Sequence, residues 1–253
     1  MRLIITESHQ AMSKVAARLM ADAINANPSL TMVIATGNTP LQAYRELAAL
    51  RSQGQVNADQ IRPFQLDEYK GVPSGDPRSL YDWSRNAFLI PLELPAERLV
   101  RLRGDTSDTE EACRRYDDAV EAAGGFDLSI LGLGPNGHLG FNEPPSGPGD
   151  PTRQVRLTPA TLRSNAGYWS EDEASVPREA LTCGMKHLLT ARQTLLLVSG
   201  AHKREILWKT VRGPVTPDVP ASYLQQIPGV VVVTDRAAWP YAESSDNVEL
   251  SQK

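Results

Sequence analysis

The fold is decided by the segment LSILGLGPNGHLGFNEP at residues 128–144. The segment begins with a mostly apolar run, Leu128 to Leu133, which is typical of a buried strand of a parallel sheet, and a glycine-rich turn follows. Open α/β sheets bind their ligands where strands run into such turns. His138 and Glu143 lie in this turn, so a carboxylate could orient one ring nitrogen while the other faces a substrate. A glycine-rich surface turn with an ordinary histidine is the alternative interpretation.

The composition is typical of a soluble globular protein. The chain has 253 residues, of which 41% are hydrophobic and 22% charged, and its formal net charge is −4. Its basic residues are dispersed, which argues against a nucleic-acid partner. The apolar start at residues 1–6 is too short for a signal peptide, and no window approaches a membrane span. Cys113 and Cys183 lack the spacing of a zinc site or a disulfide framework. We therefore expect a cytoplasmic enzyme with no metal site and no membrane partner.

Strand-like and helical segments alternate along the chain, which predicts a single α/β domain over residues 1–253 with a mostly parallel sheet flanked by helices. Residues 145–177 lack a regular pattern and predict a lid or binding loop. The polar tail, about 240–253, is expected to fray. The expected strands are 2–6, 30–35, 61–66, 99–102, 128–133, 194–199 and 230–233, and the expected helices are 8–27, 41–50, 80–88, 107–123 and 180–189.

An anion site is predicted between the second strand and its helix, at Thr36-Gly37-Asn38-Thr39-Pro40. Pro40 suits the first helical position and Thr39 the N-cap. Two hydroxyls and a glycine then lie at the positive end of a helix, where backbone amides bind phosphate. No Walker-type lysine follows. A strand-to-helix loop without a ligand is the alternative.

Several charged residues follow other strands. Asp67 and Glu68 end the third strand, where two buried carboxylates are costly unless they have a task, although either could cap the next helix. Lys203 follows a strand and a glycine turn, which suits a phosphate. Arg163, in the lid, could reach a substrate anion, although a surface arginine is the ordinary interpretation.

Five segments together resemble glucosamine-6-phosphate deaminases. They occur in that family's order over about residues 1–235, and the LDEY and GHLGFNEP motifs are the most specific of them. 6-Phosphogluconolactonases share the glycine-rich histidine loop but do not resemble this chain at LDEY or FNEP. The segments are ATGNTP (35–40), LDEY (66–69), GLGPNGHLGFNEP (132–144), VPREALTCG (176–184) and SGAHK (199–203).

The resemblance implies a modified Rossmann-like fold of the sugar-phosphate isomerase type. It also implies conversion of a 2-amino-2-deoxy-hexose 6-phosphate and water to a ketohexose 6-phosphate and ammonia, without metal or organic cofactor. Asp67 would move a proton from C2 to C1, and His138 would assist ring opening with its tautomer held by Glu143.

The remaining residues of the implied site would bind the phosphate or position the substrate and the catalytic groups. Thr36, Gly37, Asn38, Thr39 and Lys203 would hold the 6-phosphate, with Arg163 as a further candidate. Glu68, Tyr69 and the backbone at Gly137 would support the substrate, and Asn136 would orient a catalytic group.

The chain departs from the family pattern in four places, of which Asn136 and the lid bear most directly on the reaction. Asn136 stands where many members have an aspartate, so it can orient a neighbour but not share its charge. The lid segment Asn165-Ala166-Gly167-Tyr168-Trp169 stands where the family usually has asparagine, serine and a phosphate-binding arginine before two aromatics. The hexosamine epimer and the phosphorylation of the substrate therefore stay open.

Three functions compete on the sequence alone. They are an isomerising deaminase for the gluco or the galacto sugar, a 6-phosphogluconolactonase-like hydrolase, and a sugar-phosphate sensor without catalysis. Asp67 favours the deaminase, because neither lactone hydrolysis nor sensing needs a base at C2. The number of subunits stays open, since monomers and hexamers both occur in the resembled family.

Overall fold

Ten strands form two sheets in the computed structural model, which describes residues 1–241 and 248–250. The larger sheet is parallel throughout and has the order β10-β1-β9-β8-β5-β2-β3, and the smaller is antiparallel with the order β4-β7-β6. The strands are β1 Arg2–Thr6, β2 Thr31–Ile34, β3 Arg62–Gln65, β4 Asp67–Tyr69, β5 Leu128–Gly132, β6 Arg153–Arg156, β7 Glu179–Thr182, β8 Gln193–Val198, β9 Val230–Asp235 and β10 Val248–Leu250.

Helices cover both faces of the large sheet because its strands alternate two apolar faces. Met32 and Ile34 of β2 pack with α1 and α2, whereas Val33 packs with α4, α6 and α7. The helices are α1 His9–Ala26, α2 Asn38–Ser52, α3 Leu80–Ser84, α4 Thr109–Ala122, α5 Pro159–Asn165, α6 Met185–Leu188 and α7 Arg204–Arg212. The prediction of a mostly parallel α/β fold is confirmed.

The small sheet differs most from the sequence-based expectation. Residues 180–189 were expected to be helical, yet Ala180 to Thr182 belong to β7 and only the next segment, α6, is helical. The reason is tertiary pairing, since β7 is hydrogen-bonded to β4 on one side and β6 on the other. The lid expected to be irregular contains β6 and α5.

Two smaller expectations were also wrong. The expected strand at 99–102 is a single bridge between Phe64 and Val100. Within the tail expected to fray, Val248–Leu250 pairs with β1, while residues 242–247 and 251–253 lie outside the described part of the chain. Among the described helices, none combines the length and apolar character that crossing a bilayer requires.

The order of the large sheet positions the site. The strands β8, β5, β2 and β3 are direct neighbours, and all four run in the same direction. The loops that follow them therefore meet at one edge of the sheet, which is where parallel α/β sheets bind ligands. Lys203, His138 and Thr36 follow β8, β5 and β2, respectively, and Asp67 follows β3 as the first residue of β4.

Candidate active site

A cavity of about 250 Å³ opens at this edge, under the lid. It collects predicted residues from all four strand ends together with lid residues that follow β6. The predicted site residues that line it are Thr36, Gly37, Thr39, Asp67, Tyr69, His138 and Lys203.

Asp67 lies where the chain leaves the large sheet and enters the small one. Its side chain is 5% exposed and lines the cavity, and its Oδ1 has no hydrogen-bond partner among the described residues. Burial raises the pKa of the Asp67 carboxyl to about 8; the nearby Glu68 carboxyl adds to the rise, and a hydrogen bond from Thr36 opposes it. A carboxyl group in this state can both accept and return a proton near neutral pH.

Glu68 points away from the cavity and has a structural task. Its carboxylate accepts hydrogen bonds from the backbone N–H groups of Tyr69, Leu80 and Tyr81, each at 2.9 Å. Two of these amides belong to the start of α3, so Glu68 holds that helix against β4. The sequence analysis gave helix capping as the alternative role for Asp67 or Glu68, and Glu68 has this role at α3. The substrate contact expected for it stays a prediction, since Glu68 does not line the cavity.

His138 and Glu143 are brought together by the turn after β5. The His138 Nδ1 lies 3.2 Å from Glu143 Oε2, and His138 itself is 7% exposed and lines the cavity. A carboxylate at Nδ1 favours the tautomer with hydrogen on Nδ1, which leaves Nε2 as the proton acceptor.

Glu143 is surrounded by donors. Its Oε2 accepts a hydrogen bond from Asn136 Nδ2 at 2.6 Å, and its Oε1 accepts one from the Thr158 N–H at 3.1 Å. Burial alone would raise the pKa of Glu143, but hydrogen bonds from His138, Thr161 and Asn136 and the charge of His138 hold it at about 2. Thr158 is the N-cap of α5, so the same carboxylate also links the catalytic turn to the lid.

Gly134 allows the His138 ring to lie against the turn. A Cβ on residue 134 would lie 2.1 Å from His138 Nε2, far inside van der Waals contact. We expect Gly134→Ala to displace the imidazole while leaving every reacting group present. Because a misplacement of about 1 Å can cost about 100-fold in rate, kcat should fall by about that factor. Steady-state kinetics test this, with Gly149→Ala as the control because a Cβ on Gly149 meets open space; equal kcat values for both variants would contradict it.

The loop after β2 is built differently from the expectation. The helix α2 begins at Asn38 with Gly37 as its N-cap, so Thr39 is not the cap and Pro40 is the third helical residue. The reason is the backbone of Gly37, whose φ of 99° is a conformation that glycine adopts readily and other residues rarely do. Pro40 is still compatible with the helix, since amides of the first turn have no intrahelical partner. Gly37 has no side chain that could cap the first amides of α2, which leaves this helix end suited to an anion.

Lys203 approaches the cavity from the turn after β8. Its Nζ donates a hydrogen bond to the Leu133 carbonyl at 2.7 Å, which directs the ammonium toward the catalytic turn. Burial lowers the pKa of Lys203. An anion bound beside it would replace part of the lost hydration.

Five predicted residues besides Glu68 do not line the cavity. Glu143 contacts His138 Nδ1, and Asn136 donates a hydrogen bond to Glu143. Gly137 packs under the 219–221 segment and accepts a hydrogen bond from the Ala221 N–H at 2.8 Å. Asn38 and Arg163 are exposed, so a phosphate contact from either side chain stays a prediction without support from the cavity lining.

Several lining residues were not among the predicted site residues, and one of them, Trp83, was expected to belong to the core. Arg78 and Ser79 lie in a loop rich in proline and glycine that carried no distinctive pattern, and the lid residues were treated as a departure from the family rather than as contacts. The lining residues missed include Arg78, Ser79, Trp83, Ser164, Asn165 and Tyr168. Within residues 1–241 and 248–250, no group of three or more histidine, cysteine or acidic residues forms a metal site.

Comparison with known proteins agrees with this geometry. Residues 6–233 match the model of the family described as glucosamine-6-phosphate isomerases/6-phosphogluconolactonase. A glucosamine-6-phosphate deaminase of Thermoanaerobacter pseudethanolicus is 35% identical over 99% of this chain and 98% of its own length. One of Halothermothrix orenii is 37% identical over 94% of this chain and 98% of its own length.

Solved structures give the same result. The structure described as a monomeric glucosamine-6-phosphate deaminase superposes with a TM-score of 0.92 at 35% identity, covering 95% of this chain and 99% of its own. The 6-phosphogluconolactonase of Trypanosoma brucei gives a TM-score of 0.72 at 20% identity, covering 95% of this chain and 98% of its own. That second likeness concerns the fold alone.

Proposed function

Because this chain belongs to the family of glucosamine-6-phosphate isomerases and 6-phosphogluconolactonases, we propose that it is an isomerising deaminase of glucosamine 6-phosphate. It converts this sugar phosphate and water to a ketohexose 6-phosphate and ammonia. The substrate lies across the cavity, with its phosphate at the amino end of α2 and its reacting carbons between Asp67 and His138.

The phosphate end is formed by the residues around Gly37. The amides at the start of α2 offer hydrogen-bond donors at the positive end of the helix dipole, and Thr36 and Thr39 add hydroxyl groups. Lys203 supplies a positive charge from the neighbouring strand end. This combination supports a phosphorylated substrate over a free sugar.

The reacting end first opens the sugar ring. His138 Nε2 accepts the proton of the C1 hydroxyl and returns a proton to the ring oxygen, so that the C1 aldehyde forms. Glu143 stabilises the transient imidazolium and holds the ring orientation.

The second step is the proton transfer that defines an isomerase. The Asp67 carboxylate removes the C2 proton while the C1 oxygen takes a proton from the 2-ammonium group, and an enolamine forms across C1 and C2. Asp67 then returns its proton to C1, which leaves a protonated imine at C2. Addition of water to this imine releases ammonia and the 2-ketose, so atoms and electrons balance without an external oxidant.

The observation that carries this proposal is the state of Asp67. Its carboxyl is buried, lines the cavity and has a free Oδ1, and its pKa is raised to about 8. A lactone hydrolase needs a group that activates water, as His138 could, but has no proton to move at C2. A carboxyl group tuned in this way therefore supports deamination over lactone hydrolysis.

The test is ammonia release from glucosamine 6-phosphate, galactosamine 6-phosphate and glucosamine, measured side by side. We expect turnover of glucosamine 6-phosphate and little or none of glucosamine, since the free sugar lacks the group that α2 and Lys203 bind. A strong preference for the galacto phosphate would assign the other epimer. No ammonia from any of the three, together with hydrolysis of 6-phosphogluconolactone, would refute the deaminase.

The two cysteines bear on the cellular compartment of the enzyme. Both thiols, Cys113 and Cys183, are buried and unpaired, which suits a reducing compartment such as the cytoplasm.

A further inference from the structure

The lid contains two adjacent aromatic residues, Tyr168 and Trp169, with different surroundings. Trp169 is 5% exposed, its ring centroid lies 5.5 Å from that of Tyr69 in an edge-on arrangement, and the Arg78 guanidinium lies 4.6 Å from its ring centroid. These contacts seat the turn Ala166–Trp169 against the wall of the cavity. Tyr168, the preceding residue, lines the cavity yet is 43% exposed.

The Tyr168 hydroxyl lies against the phosphate loop. It is 3.5 Å from the position that a Cβ would occupy on Gly37, and, although burial raises the pKa of this hydroxyl, the neighbouring Asn38 backbone amide lowers it. The hydroxyl is therefore at the amino end of α2, among the amides assigned to the phosphate.

The basic residues around the cavity leave room for a further phosphate ligand such as the Tyr168 hydroxyl. Two basic residues line it, Arg78 and Lys203. Arg78 is engaged by Asp76 through two hydrogen bonds of 2.9 and 2.7 Å, and one face of its guanidinium lies on Trp169. In the lid turn itself, Gly167 has no side chain to offer.

We propose that Tyr168 is the phosphate-binding residue of the lid, accepting from the Asn38 N–H while donating its own hydrogen to a phosphate oxygen. This inference rests on the proposed sugar-phosphate substrate and adds a specificity-determining residue to it. A phenol hydroxyl is suited to the position because it can donate and accept at once. The site then recognises phosphate through a neutral lid donor rather than the lid arginine of the resembled family.

The electrostatics agree with a donor role. Burial raises the pKa of the Tyr168 hydroxyl, and the Asn38 amide offsets part of the rise. The hydroxyl consequently keeps its hydrogen at neutral pH. A neutral donor also avoids burying a further charge beside Lys203 when the site is empty.

The test replaces Tyr168 with phenylalanine, which removes the hydroxyl and keeps the ring. The affinity for inorganic phosphate is measured by calorimetry, and KM and kcat are measured with glucosamine 6-phosphate. We expect phosphate to bind about 10- to 100-fold more weakly and KM to rise by a similar factor, since the lost bond is to a charged group. We expect kcat to change only a few-fold. The matched control is Tyr241→Phe, an exposed tyrosine whose ring packs on Trp239 away from the cavity.

Two results would overturn the role of Tyr168. Unchanged phosphate affinity in Tyr168→Phe would show that the hydroxyl does not contact the anion. Tighter phosphate binding would show that the hydroxyl merely occupies the site and competes with the ligand. The calorimetric measurement needs no turnover, so a chain that binds phosphate without releasing ammonia would refute the proposed reaction while still deciding the role of Tyr168.

Discussion

Replacing Asp67 with asparagine should lower the kcat of ammonia release by at least about 10²- to 10⁴-fold, the range of a single proton-transfer group. An amide cannot take the C2 proton, yet it has nearly the same size and can still face Thr36. Binding of the sugar phosphate should therefore be nearly unchanged, as measured by calorimetry with glucosamine 6-phosphate. A variant that retains most of its turnover would refute the mechanism.

The pH dependence of the wild-type enzyme provides a second measure of the same group. The base form of Asp67 is the carboxylate, and its pKa is raised to about 8 by burial and by the nearby Glu68. We expect kcat/KM to rise with pH up to about 8, since this ratio reports groups of the free enzyme. The small residual activity of Asp67→Asn should lack this rise.

The same substitution should stabilise the fold at neutral and alkaline pH. In the unfolded chain an aspartate has a pKa of about 3.9, whereas the folded value is about 8. Between these values the folded state binds more protons than the unfolded state, so the free energy of unfolding falls as pH rises. Asparagine does not ionise, so the variant lacks this fall in the free energy of unfolding. The stability advantage of the variant should thus be small at pH about 4 and largest at pH about 8.

Urea unfolding at several pH values tests this, and Asp82→Asn is a matched control. Asp82 is also a buried carboxyl, but it accepts hydrogen bonds from the Gly75 backbone N–H and the Ser79 hydroxyl. Its amide variant should therefore be less stable than wild type. Parallel pH profiles for wild type and Asp67→Asn would contradict the linkage.

How far the sequence predicts this molecule depends on whether a feature is local. Strands of the large sheet are apolar runs followed by turns, so the positions of Asp67 and His138 at strand ends follow from that pattern, while their proposed roles come from the family resemblance. Gly37 was placed in the right loop, but the start of α2 depends on its φ of 99°, which the pattern does not contain.

Features that depend on distant pairing were not predictable. The strand β7 looks helical in isolation and is extended because β4 and β6 flank it. Arg78 reaches the cavity because Glu68, ten residues earlier, holds the start of α3. The role of Glu68 shows the same limit, since two adjacent carboxylates look alike in sequence and only their hydrogen-bond partners separate a base from a helix cap.

Replacing Glu143 with glutamine should have a comparably large effect on activity, of about 10²- to 10⁴-fold in kcat. Glu143 only accepts hydrogen bonds: from His138 and Asn136 at Oε2 and from the Thr158 N–H at Oε1. A glutamine must turn its NH₂ group toward one of these donors. If the NH₂ group faces His138, the tautomer with hydrogen on Nδ1 is no longer favoured; if it faces Thr158, the hydrogen bond to the lid is lost. Steady-state kinetics decide this, with Glu179→Gln as a control because that carboxylate bonds Lys70 and Gln154 away from the cavity; a Glu143→Gln variant as active as the control would contradict the positioning role.

The effect of Glu143→Gln on stability should have the opposite sign to that of Asp67→Asn. Although burial alone would raise it, the folded pKa of Glu143 is held at about 2 by hydrogen bonds from His138, Thr161 and Asn136, whereas an unfolded glutamate has a pKa of about 4.3. Its stabilising contribution is complete above the unfolded value and is lost as pH falls through the folded one. Glu143→Gln should therefore be less stable than wild type at pH 7, with the gap closing between about pH 4.3 and 2 in urea unfolding. A gap that is constant with pH would show that the carboxylate charge does not hold the catalytic turn. The opposite signs at Asp67 and Glu143 then separate the carboxylate whose ionisation costs stability from the one whose charge holds His138 in place.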